Sequence, residues 1–401
     1  DEVPSIAIIP FDNKGADEDV FYAYGISSDL ITDCSSAGLI RVAGLKDIEN
    51  LDYNNLQYNE LASKLFVRYV SHGTLWKMGD MFQLSIELYD TIDKKVLWAD
   101  RWQEKWDNLP TIKGSLSDGL LKALDTTSKV EKKVETTNTE AYEFYLKAKH
   151  KYEKRKNTDD TEIARGLLNK AIALDNTLIL AKKLLGNTYL EMGDYNKAMD
   201  IYTSALKQAK ELSDKYRMGQ NLNNIGNVYY IKGDYNKALD YFNKSLKIKE
   251  GLGDKYGMGI SLVNLGGVYI EKGDHDIALD YLIRSREIQE ELCNKRGIGI
   301  SLVKIGYIYI KKGDHVTALG YYERSLKIRD EIGDKYGMGS NLKSIGDVYA
   351  DKGDFDQSLD YYERSLKIRE DLGDKRGMGE SLNNIGLVYH EKGDYDKALV
   401  Y

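Results

Sequence analysis

The sequence is short of proline, of cysteine and of excess positive charge. Its three prolines, Pro4, Pro10 and Pro110, all come early, and none follows in a chain of 401 residues. Proline breaks helix interiors, so the long proline-free remainder suits helices joined by glycine turns. The two cysteines, Cys34 and Cys293, lie in different halves of the chain. That excludes a disulfide framework or a cysteine-built zinc site. The net charge of −7 argues against a broad nucleic-acid footprint. No apolar run reaches the roughly 18 residues needed to span a bilayer, and no secretory leader is visible. Hydrophobic residues make up 42% and charged residues 30%, a globular rather than a disordered balance. The length calls for several domains or a repeat array. A start at Asp1 and a stop at Tyr401, partway through a repeat, lead us to expect further segments on either side.

What is abundant is repetition. The phrase KGDYNKALDY at Lys232 returns as KGDHDIALDY at Lys272, KGDHVTALGY at Lys312, KGDFDQSLDY at Lys352 and KGDYDKALVY at Lys392. The step is 40 residues each time. A catalytic loop has no need of copies, whereas a unit that stacks on itself does. Within one copy, Leu262, Leu265, Gly266 and Tyr269 recur at helical spacing, as do Ala278, Leu282, Ser285, Ile288 and Leu292. These spacings predict two amphipathic helices. Gly273 stops the first and Asp274 caps the second. Gly226, Gly266, Gly306, Gly346 and Gly386 hold one slot inside the first helix. Glycine there costs about 1 kcal/mol against alanine, so close helix approach is expected at that slot. The tyrosine three residues on, as at Tyr229, is expected to fill the space between units.

The pattern resembles the tetratricopeptide repeat: Gly226, Tyr229, Gly233, Tyr235, Ala238 and Phe242 match its small and aromatic slots. The period exceeds the usual 34, and the customary proline at the repeat end is replaced by GDKYGMG or GDKRGMG. That longer form is similar to the repeats of kinesin light chains and cell-polarity adaptors, whose grooves hold peptides. Stacked hairpins form a right-handed superhelix whose concave face is lined by first helices. Residues just off the core stripe are expected to face that groove. They are Asn223, Asn224, Asn227 and Tyr230, then Ile260, Val263 and Asn264, then Ile300, Val303, Lys304 and Tyr307, and finally Lys343, Asn383 and Asn384. Asparagine amides can bond a peptide backbone without reading its side chains. The Ile and Val residues would supply an apolar anchor. A neighbouring domain or a second copy of the chain would use the same surface equally well.

The first 128 residues read differently. SIAIIPFDN (5–13) and LIRVAG (39–44) look like strands. Residues 21–38 and 56–68 look like helices. Three alternating segments from Tyr69 onward, separated by Gly79-Asp80 and TIDKK, form hairpins, and residues 111–124 close as a helix. The phrases SIAIIPFDN, YAYGISSDLI, KLFVRYVSHGTL and VLWADRWQEK resemble the N-terminal domain of the periplasmic protein TolB, in the form found beside tetratricopeptide repeats. That pairing implies the regulatory part of a membrane-tethered bacterial adenylate or guanylate cyclase.

No catalytic set, metal site or cofactor is called for. His72 has no partnered acid in view, while His275 and His315 occupy a slot elsewhere held by Tyr235, Phe355 and Tyr395. GMGISL lacks the Gly-Lys-Ser/Thr ending of a phosphate loop. Asp351, Asp354 and Asp356 lack the distal glutamate of a calcium loop. The charges of KIRDEIGDK and KIREDLGDK read as a solvated outer face. The expected fold class is α+β multidomain. A small α/β, TolB-like domain occupies 1–128 and a linker 129–138. An all-α tetratricopeptide-repeat solenoid of about seven hairpins, the last truncated, occupies 139–401. The expected function is non-catalytic binding of a protein or peptide as a sensory or scaffolding module. The alternatives are a structural assembly platform, a periplasmic TolB-like adaptor with no cyclase attached, and an enzyme with a cryptic acid/His site in the first domain. No nucleic acid and no direct membrane insertion are expected, and a homo-oligomer is compatible with the pattern. The resemblance favours the extracytoplasmic side of a bacterial membrane; two unpaired cysteines fit the cytoplasm equally well.

Overall fold

The computed structural model describes residues 3–37, 40–126, 136–155 and 157–401. Residue 39 of the second expected strand, the end of the expected first domain at 127–128, and residues 129–135 of the expected linker lie outside them.

The chain opens with a mixed sheet. Its elements are β1 (Ser5–Ile8), β2 (Asp12–Asn13), α1 (Val20–Ser36), β3 (Arg41–Val42), α2 (Leu45–Glu49), α3 (Tyr58–Leu65), β4 (Tyr69–Met78), β5 (Met81–Asp90), β6 (Lys95–Lys105) and α4 (Leu109–Ala123). The sheet order is β3-β1-β4-β5-β6, and β2 also pairs with β4. β1 runs parallel to β3 and β4, whereas β4, β5 and β6 are antiparallel. Along β5, Phe82, Leu84, Ile86 and Leu88 are buried while Gln83, Ser85, Glu87 and Tyr89 are half-exposed, the period-2 signature of a one-sided sheet. Two expectations are corrected here. The strand expected over 5–13 is two short strands, interrupted around Pro10, which has no N–H to give to a ladder. The strand expected over 39–44 shrinks to β3 and is followed by α2, a helix too short to show periodicity. Pro110 stands in the first turn of α4, where a missing N–H costs nothing.

Helical hairpins follow: α5 (Thr139–Glu153) with α6 (Thr158–Leu174), α7 (Ile179–Glu191) with α8 (Tyr195–Glu211), α9 (Lys215–Ile231) with α10 (Tyr235–Leu252), α11 (Lys255–Lys272) with α12 (His275–Glu291), α13 (Lys295–Lys311) with α14 (His315–Glu331), α15 (Lys335–Asp351) with α16 (Phe355–Leu372), and α17 (Lys375–Glu391) with α18 (Tyr395–Ala398). Each internal turn is punctuated chemically. Gly273 adopts φ +80, a left-handed stop that suits glycine. The carboxylates of Asp234 and Asp354 accept the N–H groups of Lys237 at 3.1 Å and Gln357 at 3.3 Å, capping the next helix. Asp274 makes no such bond. The chain divides into two compact units, Asp1–Val268 and Tyr269–Tyr401.

In the first unit, one hydrophobic core runs from Ile6 to Leu185 and so joins the sheet to the first hairpins. Helix α1 meets α5 around a buried ion cluster. Asp29, 3% exposed, accepts from Tyr142 Oη and Tyr145 Oη at 3.0 Å and from Lys149 Nζ at 2.6 Å. Lys113 Nζ of α4 lies 3.7 Å from Asp29 and 3.3 Å from Asp33. Burial pushes the Asp29 carboxyl up, but Lys149 and Lys113 outweigh it and hold it at about 2. A repeat array hides the apolar face of its terminal unit behind a cap, and the sheet domain does that here.

The recurring glycine has a specific partner. A Cβ on Gly226 would sit 2.8 Å from the Phe242 ring, and one on Gly346 2.7 Å from Tyr362. The tyrosine three residues on packs, as expected above, against cores drawn from neighbouring hairpins, Tyr229 on the cluster of Tyr202 and Ile225 and Tyr309 on that of Tyr322 and Ile345. It stacks on a tyrosine of its own hairpin, Tyr229 on Tyr241 at 5.4 Å and Tyr309 on Tyr321 at 5.5 Å. The charged phrases KIRDEIGDK and KIREDLGDK also need correction. Arg329 and Arg369 are 9% and 5% exposed. They turn inward because the slot eight residues on is Gly337 or Gly377, where a Cβ would strike the guanidinium. Asp334 and Glu380 supply the counter-charges.

Candidate functional site

The stripe that alternates with the core on each first helix holds the residues expected to face a groove. On α9, Asn221, Leu222, Ile225, Gly226 and Val228 are buried, and Gln220, Asn223, Asn224, Asn227 and Tyr230 fall between them, half-buried. On α11, Ile260 is exposed while Val263 and Asn264 are half-buried. In the second unit, Ile300 and Tyr307 are 39% and 40% exposed, and Val303, Lys304, Lys343 and Asn384 are half-buried. Asn383 is exposed. None of these residues is sealed inside a hairpin seam, although Val303 also packs on the Tyr322 and Ile345 cluster.

The structure ties several of them together. Asn264 Nδ2 donates to Asn223 Oδ1 at 3.1 Å, from one hairpin to the one before. The same link recurs in the second unit, where Asn384 Nδ2 donates to Asp347 Oδ1 at 3.3 Å. Lys343 Nζ donates to Asp347 Oδ2 at 2.8 Å. The first-helix faces therefore carry short polar ladders with preset amide orientation, flanked by exposed aliphatic side chains. Asn224 Nδ2 is buried without a hydrogen-bond partner.

Sequence reasoning missed the second helix's contribution. Tyr202 Oη donates to Asn187 Oδ1 at 2.7 Å and Tyr362 Oη to Asp347 Oδ1 at 2.7 Å. The signal was present in the alternation of Tyr202, Phe242, Tyr322 and Tyr362 at one slot. Only the fold shows that a hydroxyl there reaches the first-helix face. It also missed Asp12 as the partner of His72. His72 Nε2 lies 3.5 Å from Asp12 Oδ2, on the same sheet face as Tyr58, whose hydroxyl donates to Glu87 at 3.4 Å. This pair is half-exposed, and His72 lines an open depression with Thr74, Ser85 and Arg101. It is not the buried acid/His cluster an enzymatic reading requires. Among the described residues no group of histidine, cysteine and carboxylate side chains is placed to hold a metal, and no helix is long and apolar enough to cross a membrane.

The tetratricopeptide repeat profile matches residues 176–251, 257–331 and 338–401, and the chain belongs to that family. Its fold combines a mostly helical repeat array with a small N-terminal α/β region. Among curated proteins, "Putative adenylate cyclase 3" of Rhizobium meliloti (strain 1021) is 25% identical over 220 residues, which cover 53% of this chain and 37% of that protein. The chain thus spans little more than a third of that relative's length. Among solved structures, the apo form of RapI superposes with a TM-score of 0.53 at 17% identity, covering 65% of this chain and 94% of that one. A Rap protein complexed with competence and sporulation factor gives 0.52 at 15% identity, covering 74% and 92%. At those identities the likeness is one of fold.

Proposed function

We propose that this chain is a non-catalytic regulatory module that binds a protein or peptide segment along its first-helix faces. The observation that carries this reading is the pre-oriented amide ladder, Asn264 on Asn223, beside exposed Ile260. Amides fixed by one hydrogen bond keep further donors and acceptors for an extended backbone, and exposed aliphatic side chains beside them give an apolar anchor. The solved Rap complex, of similar fold, supports it. We further propose that the α/β part is a TolB-like domain and that the chain is the regulatory portion of a membrane-tethered nucleotide cyclase. The relative named as an adenylate cyclase supports this.

The test is direct. A peptide display library is panned on the intact chain, and the selected sequences are remeasured on a variant carrying Asn223→Ala, Asn227→Ala and Asn264→Ala. Binding should fall at least tenfold with the melting midpoint within a few degrees of wild type. Selected peptides that bind the variant as well as the parent would remove this surface from consideration. A library that yields no binder would favour the assembly-platform reading instead.

A further inference from the structure

One end of the sheet gathers exposed apolar side chains. β1 and β4 begin there, since Ile6 pairs with Tyr69. β5 ends and β6 begins there too, since Asp90 pairs with both Tyr69 and Lys95. Among the described residues of the α/β part, seven large apolar side chains are exposed, and five of them, Val3, Phe66, Ile92, Val96 and Leu97, lie at this end. Ile92, in the turn between β5 and β6, is 66% exposed. The fold fixes that turn. The buried Asp90 carboxylate accepts the N–H groups of Ile92 at 2.9 Å and Asp93 at 3.2 Å, and Arg68 Nη2 at 2.6 Å. Thr91 N–H donates to the Arg68 carbonyl at 3.1 Å, which ties the turn to the segment that carries Phe66. The register of β6 skips Leu97, a bulge on an edge strand. Positive charge collects at the same end. Among the described residues Arg41, Lys64, Arg68, Lys94 and Lys95 stand there against Asp90, Asp93 and Asp125, in a chain whose net charge is −7.

We infer that this end of the sheet docks on the headgroup layer of an anionic membrane, with Phe66, Ile92, Val96 and Leu97 entering the acyl boundary and the lysines meeting the lipid charge. Exposed apolar side chains set among basic ones are the composition of an interfacial contact. Each basic side chain near an anionic leaflet adds to the attraction. A protein partner fits less well, because protein interfaces are depleted in lysine and three lysines surround this patch. The contact is peripheral and needs no spanning helix. It goes beyond the groove reading and does not rest on it, since every residue involved lies before the first hairpin.

Vesicle flotation tests this on the intact chain, with vesicles of phosphatidylserine and phosphatidylcholine at roughly one to two and with phosphatidylcholine alone. The chain should float with the anionic vesicles, much less with the neutral ones, and less with both as salt rises. Ile92→Ser with Leu97→Ser should weaken binding to anionic vesicles by about tenfold or more and leave the melting midpoint unchanged, since both side chains are exposed. Lys64→Glu with Lys94→Glu should weaken it by a similar factor while leaving the weak binding to neutral vesicles as it was. Trp76→Ser, an exposed apolar residue outside the patch, should change nothing. Equal binding to both vesicle types would overturn the inference, as would binding that survives the Ile92 and Leu97 changes. So would a chain that ignores vesicles and instead forms a dimer that Ile92→Ser disperses, an outcome that would assign the patch to a second copy. None of these results bears on peptide binding by the repeats.

Discussion

Replacing Gly226 by alanine sets two effects against each other with opposite signs. Helix propensity alone makes the change stabilising by about 1 kcal/mol, since Gly226 lies inside α9. The structure says otherwise, because the new Cβ would lie 2.8 Å from Cδ1 and Cε1 of Phe242. Carbon atoms in contact prefer about 3.5–4.0 Å, so the ring or the helix must yield by the better part of an ångström. Overpacking of this kind costs about 1–3 kcal/mol, and Phe242 is itself buried, 1% exposed. We expect a net loss of about 1 kcal/mol or more. Two glycines serve as controls. Gly166 in α6 and Gly320 in α14 have nothing within 4 Å of a built Cβ, so alanine at either should stabilise. The clash should be relieved by Phe242→Leu, because the hairpin with Gly266 carries Leu282 at that slot. A double-mutant cycle of Gly226→Ala with Phe242→Leu should show a favourable coupling of about 1 kcal/mol. Repeat arrays need not unfold in one step, so amide exchange within α9 and α10 should accompany the denaturant midpoint. If Gly226→Ala raises the midpoint as Gly166→Ala does, the account of the glycine slot is wrong.

Further outcomes follow from other contacts. Asp234→Ala should lower the melting midpoint through loss of its cap bond to Lys237, and Asp274→Ala clearly less, since Asp274 makes no such bond; thermal melts of the two variants compare them. The Asp29 cluster predicts a pH signature. The folded carboxyl sits at about 2, below its unfolded value near 3.9. Its contribution is therefore complete above about pH 4 and is lost as pH falls toward 2. The stability gap between wild type and Asp29→Asn should be about 2–3 kcal/mol near neutrality and shrink across that window. A gap that stays constant from pH 6 to pH 3 would show that Asp29 is not held ionised by Lys149 and Lys113.

The helices and their turns were legible because a fixed period repeats every local cue. Gly233-Asp234 stops one helix and caps the next wherever it occurs, and that chemistry is local. The half-buried stripe of Asn223, Asn227 and Asn264 was legible for the same reason: helical spacing separates it from the buried stripe. What failed was non-local. Arg329 and Arg369 read as solvated charges, because nothing within their own helix shows that a glycine eight residues later opens a pocket for them. The stacked pair of Tyr229 and Tyr241 joins residues a helix apart.

The sequence by itself determined that an α/β segment is followed by helical hairpins, since period, capping and alternation act over a few residues. Only the tertiary structure decided which polar groups turn inward, which amides link neighbouring hairpins, and that Asp29 joins the sheet domain to the first hairpin. Those outcomes depend on which side chains meet across helices, and burial then sets the cost of every charge that lacks a partner.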